Sequence, residues 1–165
     1  MLKITWIENS VPSSLKVTQV YGIIFDIYGR ILLKIEDKKD KKEYSFIGGK
    51  PETFDKDITS TLKRELKEEV NVEIEEPIYI GYQLIEGDRD YPYAQIRMTS
   101  LIKHIGKSQI DPDNGKTYIR ELVDKEKAKA LLNYGKVGDD QIEKADKEAS
   151  YLFKFKDNKK EIEYI

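Results

Sequence analysis

Between residues 58 and 70 the apolar side chains Ile58, Leu62, Leu66 and Val70 recur at every fourth position, a spacing that predicts an amphipathic helix over Asp57 to Val70. Asn71 is a plausible stop, because asparagine tolerates the left-handed conformation. With about 100° of rotation per residue, Glu68 and Glu69 fall about 60° to one side and 40° to the other of Glu65. The three carboxylates therefore share one arc, with Lys63 and Lys67 opposite and Glu69 at the border of the apolar stripe. A helix built only for stability would interleave lysines among such acids, so a cation is expected beside them. Oxygen donors without histidine or cysteine are hard ligands, which points to Mg²⁺ or Mn²⁺ and not to zinc. Mg²⁺ shares its shell readily with phosphates, so a phosphate-bearing substrate is the simplest partner. A solvated Glu/Lys face with no metal remains the plain alternative.

The rest of the chain predicts the surface that this helix covers. Val17 to Lys34 reads as a hairpin turning at Asp26 to Arg30, apolar on both faces of its strands. Ile35 to Lys42 reads as a charged loop, and Glu43 to Ile47 as a short strand broken by Gly48-Gly49. Further strands are expected at Ile78 to Ile85, Tyr93 to Ile105 and Thr117 to Val123, with a turn at Asp111 to Gly115. Helices are expected near Lys125 to Leu132 and over Gln141 to Phe153, with Tyr134 to Asp140 as a loop punctuated by Gly135 and Gly138. Lys154 to Ile165 reads as a strand or a hairpin around Asp157-Asn158. Strands and helices mix without regular alternation, so the fold class is α/β in the sense of an α+β sandwich: a mixed sheet flanked by helices.

Composition sets limits on function. The 165 residues fit one domain, residues 1–165, and the net charge of −2 gives no general pull toward nucleic acid or an anionic membrane. No cysteine is present, which removes disulfides, thiol catalysis and iron–sulfur clusters, and a single histidine, His104, excludes multi-histidine metal sites. The start, interrupted at Glu8, does not read as a signal peptide. The uncharged apolar run Val17 to Phe25 is far short of the ~20 residues that cross a bilayer. A soluble cytoplasmic domain is expected.

The segment from Gly49 through Glu52 to Arg64-Glu65-Leu66-Lys67-Glu68-Glu69-Val70-Asn71-Val72 resembles the Nudix box of the Nudix hydrolases. That pattern runs Gly, five residues, Glu, seven residues, Arg-Glu, an aliphatic, any residue, Glu-Glu, any residue, Gly, an aliphatic. The span here is one residue longer, so the loop before the helix carries an insertion. Asp55 holds the place of the early glutamate counted from Gly49, and Lys56 holds it counted back from Arg64. Ile47 stands where the family has proline, and Asn71 replaces the closing glycine.

The resemblance implies a Nudix-like fold and hydrolysis of a nucleoside diphosphate linked to another moiety, by water attacking phosphorus, with a nucleoside triphosphate as the leading substrate. It implies Glu65, Glu68, Glu69 and the carbonyl of Gly49 as metal ligands, with Glu65, Glu69 and Arg64 as the catalytic set. Lys50 and Arg97 are expected to bind substrate. The base is a box glutamate or one of the loop acids Glu86, Asp88, Asp90, Asp111 and Asp113. Trp6, Tyr91 and Tyr93 are candidates to stack on a base, although packing on the sheet is the commoner role for such residues. His104 is expected to be structural. The expected partner is a small-molecule nucleotide, with no nucleic acid and no membrane, and a homodimer stays possible. Two other classes are kept open: a Nudix-like domain that binds a nucleotide without turnover, and an acidic-helix interaction module.

Overall fold

The computed structural model describes residues 1–157 and 162–165. Its strands are β1 (Lys3–Ile7), β2 (Lys16–Phe25), β3 (Ile31–Lys38), β4 (Lys41–Ser45), β5 (Ile47–Gly49), β6 (Val72–Ile74), β7 (Ile78–Glu86), β8 (Tyr93–Ile105), β9 (Ile119–Val123) and β10 (Ile162–Tyr164). Its helices are α1 (Ile58–Val70), α2 (Lys125–Leu132) and α3 (Gly135–Phe153). The strands run in the order β1-β7-β8-β2-β3-β9-β10, with β4 added to β3, β5 to β2 and β6 to β8. The expected mixed sheet flanked by helices is what the chain builds.

The sheet is mixed because β2 lies parallel to β8, from Lys16 opposite Tyr93 to Phe25 opposite Leu101, while most of its other pairings are antiparallel. β2 is apolar on both faces because both are covered. Val20 and Ile24 pack with Leu62, Leu66 and Val70 of α1. Ile23 and Phe25 face the other way, with Ile142, Ala145 and Ala149 of α3. Leu62 and Leu66 are fully buried, and such burial stabilises by about 1.5–3 kcal/mol per side chain.

The hairpin turn expected at Asp26 to Arg30 is present. The Asp26 carboxylate accepts the N–H groups of Tyr28 and Arg30, each at 2.9 Å, and pairs with the Arg30 guanidinium, while Gly29 takes φ 75°. Past this turn β2 and β3 share only the pair Phe25 and Ile31, then splay. Residues 20–22 of β2 pair instead with β5, and residues 34–38 of β3 pair with β4. The widening gap between β2 and β3 is thus bridged by β4, Phe46 and β5.

Several expectations are corrected here. Ile35 to Lys42 is no loop: it forms the end of β3, a tight turn with Lys39 at φ 32°, and the start of β4. Its charges sit on a solvated edge arm where Lys38 pairs with Glu36 and Glu43. Glu43 to Ile47 is not one strand, because the chain changes partner at Phe46, which turns into the core. Gly48-Gly49 does not break a strand; both glycines lie in β5.

Tyr134 to Asp140 is likewise mostly helix, since α3 begins at Gly135, with only Tyr134 between it and the left-handed Asn133 that ends α2. Gly138 lies inside α3, where a β-carbon would meet the Tyr134 side chain at 2.4 Å. β1 and β6, which carry weak sequence signals, complete two edges. A hairpin around Asp157-Asn158 falls partly outside the described residues; Ile162–Tyr164 pairs with β9. Among the described residues no helix is long and apolar enough to cross a membrane.

Candidate active site

α1 is held at both ends. The Asp57 carboxylate accepts the Ser60 N–H at 2.8 Å as N-cap, and Asn71 closes the helix in the left-handed conformation, φ 53° and ψ 52°. The Asn71 side chain donates to the Lys107 carbonyl at 2.9 Å, which ties the helix end to the loop after β8. The glutamate-bearing face is therefore fixed against β5.

Arg64 organises the loop that precedes the helix. Its Nε and Nη2 each meet a different oxygen of Asp55 at 3.0 Å, and Nη2 also donates to the Lys50 carbonyl at 3.0 Å. Nη1 reaches Glu65 at 2.9 Å and Glu68 at 3.3 Å. Asp55 in turn accepts the Glu52 N–H and the Thr61 hydroxyl, both at 2.9 Å. These partners, Arg64 foremost, hold its carboxyl well below the usual carboxylate range. Asp55 thus does in the lengthened loop what an acid at that place is needed for: it anchors the arginine.

The Glu65 carboxylate lies against the backbone of Gly49, where a β-carbon would come within 2.4 Å of it. Only glycine leaves that space. Burial first, and then the charge of Glu69, push the Glu65 carboxyl up to about 7, against the pull of Arg64. Glu69 is 6% exposed; it accepts the Gly48 N–H at 3.3 Å and pairs with Lys34. Burial raises its carboxyl as well, despite Lys34. A half-buried acid and a buried one, under mutual repulsion, thus stand one turn apart. Glu68 sits farther out, half-buried beside Arg64. Among the described residues no three His, Cys, Asp or Glu side chains gather closely enough to hold a metal ion. The expected cluster is divided: Arg64 draws Glu65 and Glu68, and Lys34 draws Glu69.

The other expected site residues fall in several places. Lys50 is exposed, and its carbonyl, not its ammonium, is the part engaged. Arg97 lies on the opposite face of the sheet from α1: it is 4% exposed, stacks over the Tyr21 ring at 4.9 Å and donates to Gln141 of α3 at 2.8 Å. Burial with no carboxylate nearby pulls its guanidinium down to about 10. Of the five loop acids, Asp111 is 3% exposed and its charge reaches Glu69. Asp88 instead accepts the Tyr93 hydroxyl at 2.5 Å, Glu86 sits opposite Lys3, and Asp90 and Asp113 are exposed. Tyr91 and Tyr93 pack edge to face, and Trp6 covers Gly81 and donates to Glu8. None of these three rings lines the cleft described next. His104 is exposed, opposite Glu73.

A cleft of about 570 Å³ opens beside Arg97, walled by the rings of Tyr21, Phe46 and Tyr134 and bordered by Lys34. Lys34 and Tyr21 stand where the β2–β3 splay connects this cleft to the carboxylates, and Tyr21 feels the charges of Arg97, Lys34, Glu69 and Glu65 together. Sequence reasoning missed Lys34, Phe46, Tyr134 and the amides Gln83, Gln95 and Gln141. A faint signal existed: Gln19 and Tyr21, like Gln95 and Arg97, interrupt otherwise apolar strands on one face.

A family model described as the NUDIX domain matches residues 16–145. Similar solved structures include the Bacillus subtilis pyrophosphohydrolase BsRppH, 24% identical over 66% of this chain and 64% of that one, TM-score 0.54. A NUDIX hydrolase from Nitrosomonas europaea is 15% identical over 78% of this chain and 88% of its own, TM-score 0.59. A MutT protein from Methanosarcina mazei Go1 is 18% identical over 84% and 98%, TM-score 0.55. The chain spans just under two thirds of the Bacillus subtilis protein, and at these identities the likenesses speak for the fold. No match was found among curated proteins.

Proposed function

The chain belongs to the NUDIX domain family, and on that premise we propose that it hydrolyses the diphosphate linkage of a nucleotide, a nucleoside triphosphate first among the candidates, with the help of Mg²⁺ or Mn²⁺. The observation that carries this reading is the Glu65 carboxylate laid on Gly49, with buried Glu69 one turn away and both acids raised above their ordinary range. Such surplus buried negative charge, all on oxygen, suits a hard divalent cation. Glu65, Glu68, Glu69 and the Gly49 carbonyl would hold it. When bound, such an ion offsets diphosphate charge and lowers the pKa of a coordinated water.

The chain's own residues supply the positions. Arg64, locked by Asp55 and by the Lys50 carbonyl, sets the direction of Glu65 and Glu68. Lys34 holds Glu69 in place and puts positive charge between the acids and the cleft, where substrate phosphates would pass. Asp111, buried and within the field of Glu69, is the loop acid best placed to take a proton from the attacking water. The organic part of the substrate would occupy the cleft walled by Tyr21, Phe46 and Tyr134, with Arg97 at its floor.

A second reading, nucleotide binding without turnover, draws on the same ion pairs, since Arg64 and Lys34 already engage the three carboxylates. The test is formation of nucleoside mono- or diphosphate from a nucleotide panel with Mg²⁺, read by chromatography, run beside Glu69→Gln. Loss of product in the variant alone supports hydrolysis at this site, and equal product from both ends the proposal. A melting temperature raised by nucleotide with no product from any of the panel would favour the second reading.

A further inference from the structure

On the face of the sheet that meets α3, five polar side chains form one hydrogen-bonded row. Arg97 Nε donates to Gln141 Oε1 at 2.8 Å, Gln141 Nε2 to Gln83 Oε1 at 2.7 Å, Gln83 Nε2 to Gln95 Oε1 at 3.1 Å, and Gln95 Nε2 to Gln19 Oε1 at 2.5 Å. A side-chain amide can be turned end for end with little change of shape, but a guanidinium can only donate. Arg97 therefore holds the Gln141 oxygen toward itself, and that choice passes from amide to amide as far as Gln19. One cation sets the polarity of four amides in four separate elements.

Three heads of the row, Gln83, Gln95 and Arg97, reach the cleft. Gln83 and Gln95 are directly opposite across β7 and β8, and Arg97 lies two residues beyond Gln95 on the same face, so the three stand side by side. Each of the two amides keeps one unused N–H and an unused lone pair. Arg97 keeps more: Nη1 has only a 3.4 Å contact to the Ile96 carbonyl, and Nη2 has no hydrogen-bond partner among the described residues. This open side of the guanidinium borders the cleft, where the acceptors of a ligand can take the place of solvent.

We propose that this cleft reads the nucleobase and selects a keto base with two adjacent acceptors, such as O6 and N7 of guanine or hypoxanthine, over adenine. The proposal rests on the nucleotide reading above and specifies its substrate class. A guanidinium meets O6 and N7 in one plane with two N–H donors, whereas adenine would turn its amino group toward those donors. The aromatic rings of Tyr21, Phe46 and Tyr134 supply the apolar walls that a base needs, and the amides of Gln83 and Gln95 can meet either donors or acceptors on its remaining edge. A phosphate fits the cleft less well: its polar lining is mostly neutral, and Lys34 at its border is already paired with Glu69.

The test is binding of nucleoside monophosphates in EDTA, by calorimetry and by thermal shift. Monophosphates lack the diphosphate linkage, so the readout does not depend on turnover. GMP and IMP are expected to bind the wild type about tenfold or more tightly than AMP, and Arg97→Met is expected to abolish the difference. Equal affinity of the wild type for GMP and AMP overturns the proposal whether or not the variant folds. So does protection by inorganic phosphate that equals that of GMP and disappears in Arg97→Met. Retained base preference without hydrolysis of any nucleotide would sink only the hydrolase reading. Hydrolysis of all nucleoside triphosphates at one kcat/KM would sink only the base reading.

Discussion

A β-carbon built on Gly49 would lie 2.4 Å from Cδ of Glu65 and from one of its carboxylate oxygens. The atoms in the way belong to the end of a flexible side chain, so Gly49→Ala should displace Glu65 and leave the sheet nearly as it was. Hydrolysis is expected to fall about a hundredfold, in line with the effect of misplacing a catalytic group by about 1 Å, with the melting temperature close to that of the wild type. Steady-state kinetics beside a thermal melt checks this. A fully active variant would mean that the position of Glu65 does not matter.

Glu65 also makes stability depend on pH. Burial and the Glu69 charge push its carboxyl up to about 7, against about 4.3 in an unfolded chain. The folded protein therefore binds the additional proton between those values. The stability this confers is full below the unfolded value and is lost as pH rises through the folded one. In EDTA, the melting temperature of the wild type relative to Glu65→Gln should drop between pH 4.5 and 7.5. A difference that stays flat over that range would show that the carboxyl is not raised.

Arg64 and Asp55 form a partly buried pair whose removal exposes the loop. Arg64→Met leaves the Asp55 carboxylate without its cation and should cost about 2–3 kcal/mol in urea denaturation. Combining it with Asp55→Asn should add much less than the sum of the two single changes, because one interaction accounts for both. Additive losses would mean that the two residues act independently.

Asn71 combines a left-handed backbone with a hydrogen bond to Lys107. Asn71→Ala should cost about 1–2 kcal/mol for the backbone alone, plus about 1 kcal/mol for the lost bond. Asn71→Gly should recover the backbone part only. Equal stability of the two variants, read by chemical denaturation, would remove the conformational explanation.

Local signals in the sequence were reliable where the structure they specify is local. The fourfold spacing of Ile58, Leu62, Leu66 and Val70, the stop at Asn71 and the turn at Tyr28-Gly29 depend on near neighbours, and each appears where expected. The stretch Ile35 to Lys42 reads as a loop because its charges belong to a solvated edge whose pairing partner, not its hydrophobicity, makes it strand. Gly48-Gly49 was misread for a similar reason: the pair is strand because β2 runs beside it.

The candidate site divides along the same line. The three glutamates are legible as one helix face, but their separation by Arg64 and Lys34 depends on residues up to 35 positions away. Gln95 leaves only a faint mark as a polar interruption of an apolar strand, and nothing near Gln83 or Gln141 in the chain indicates that strand pairing and α3 will join them to Arg97.

The long parallel contact of β2 with β8 has a consequence for synthesis. Val20 waits for Ile96, and Tyr21 for Arg97, so a nascent chain released only as far as β7 has both hairpin arms but no floor for the cleft. Loop closure over such distances is slow compared with local turns. β2 is therefore made well before the strand that pairs along its length, and a protease encountering the ribosome-bound chain should cut within β2 until residue 101 has emerged.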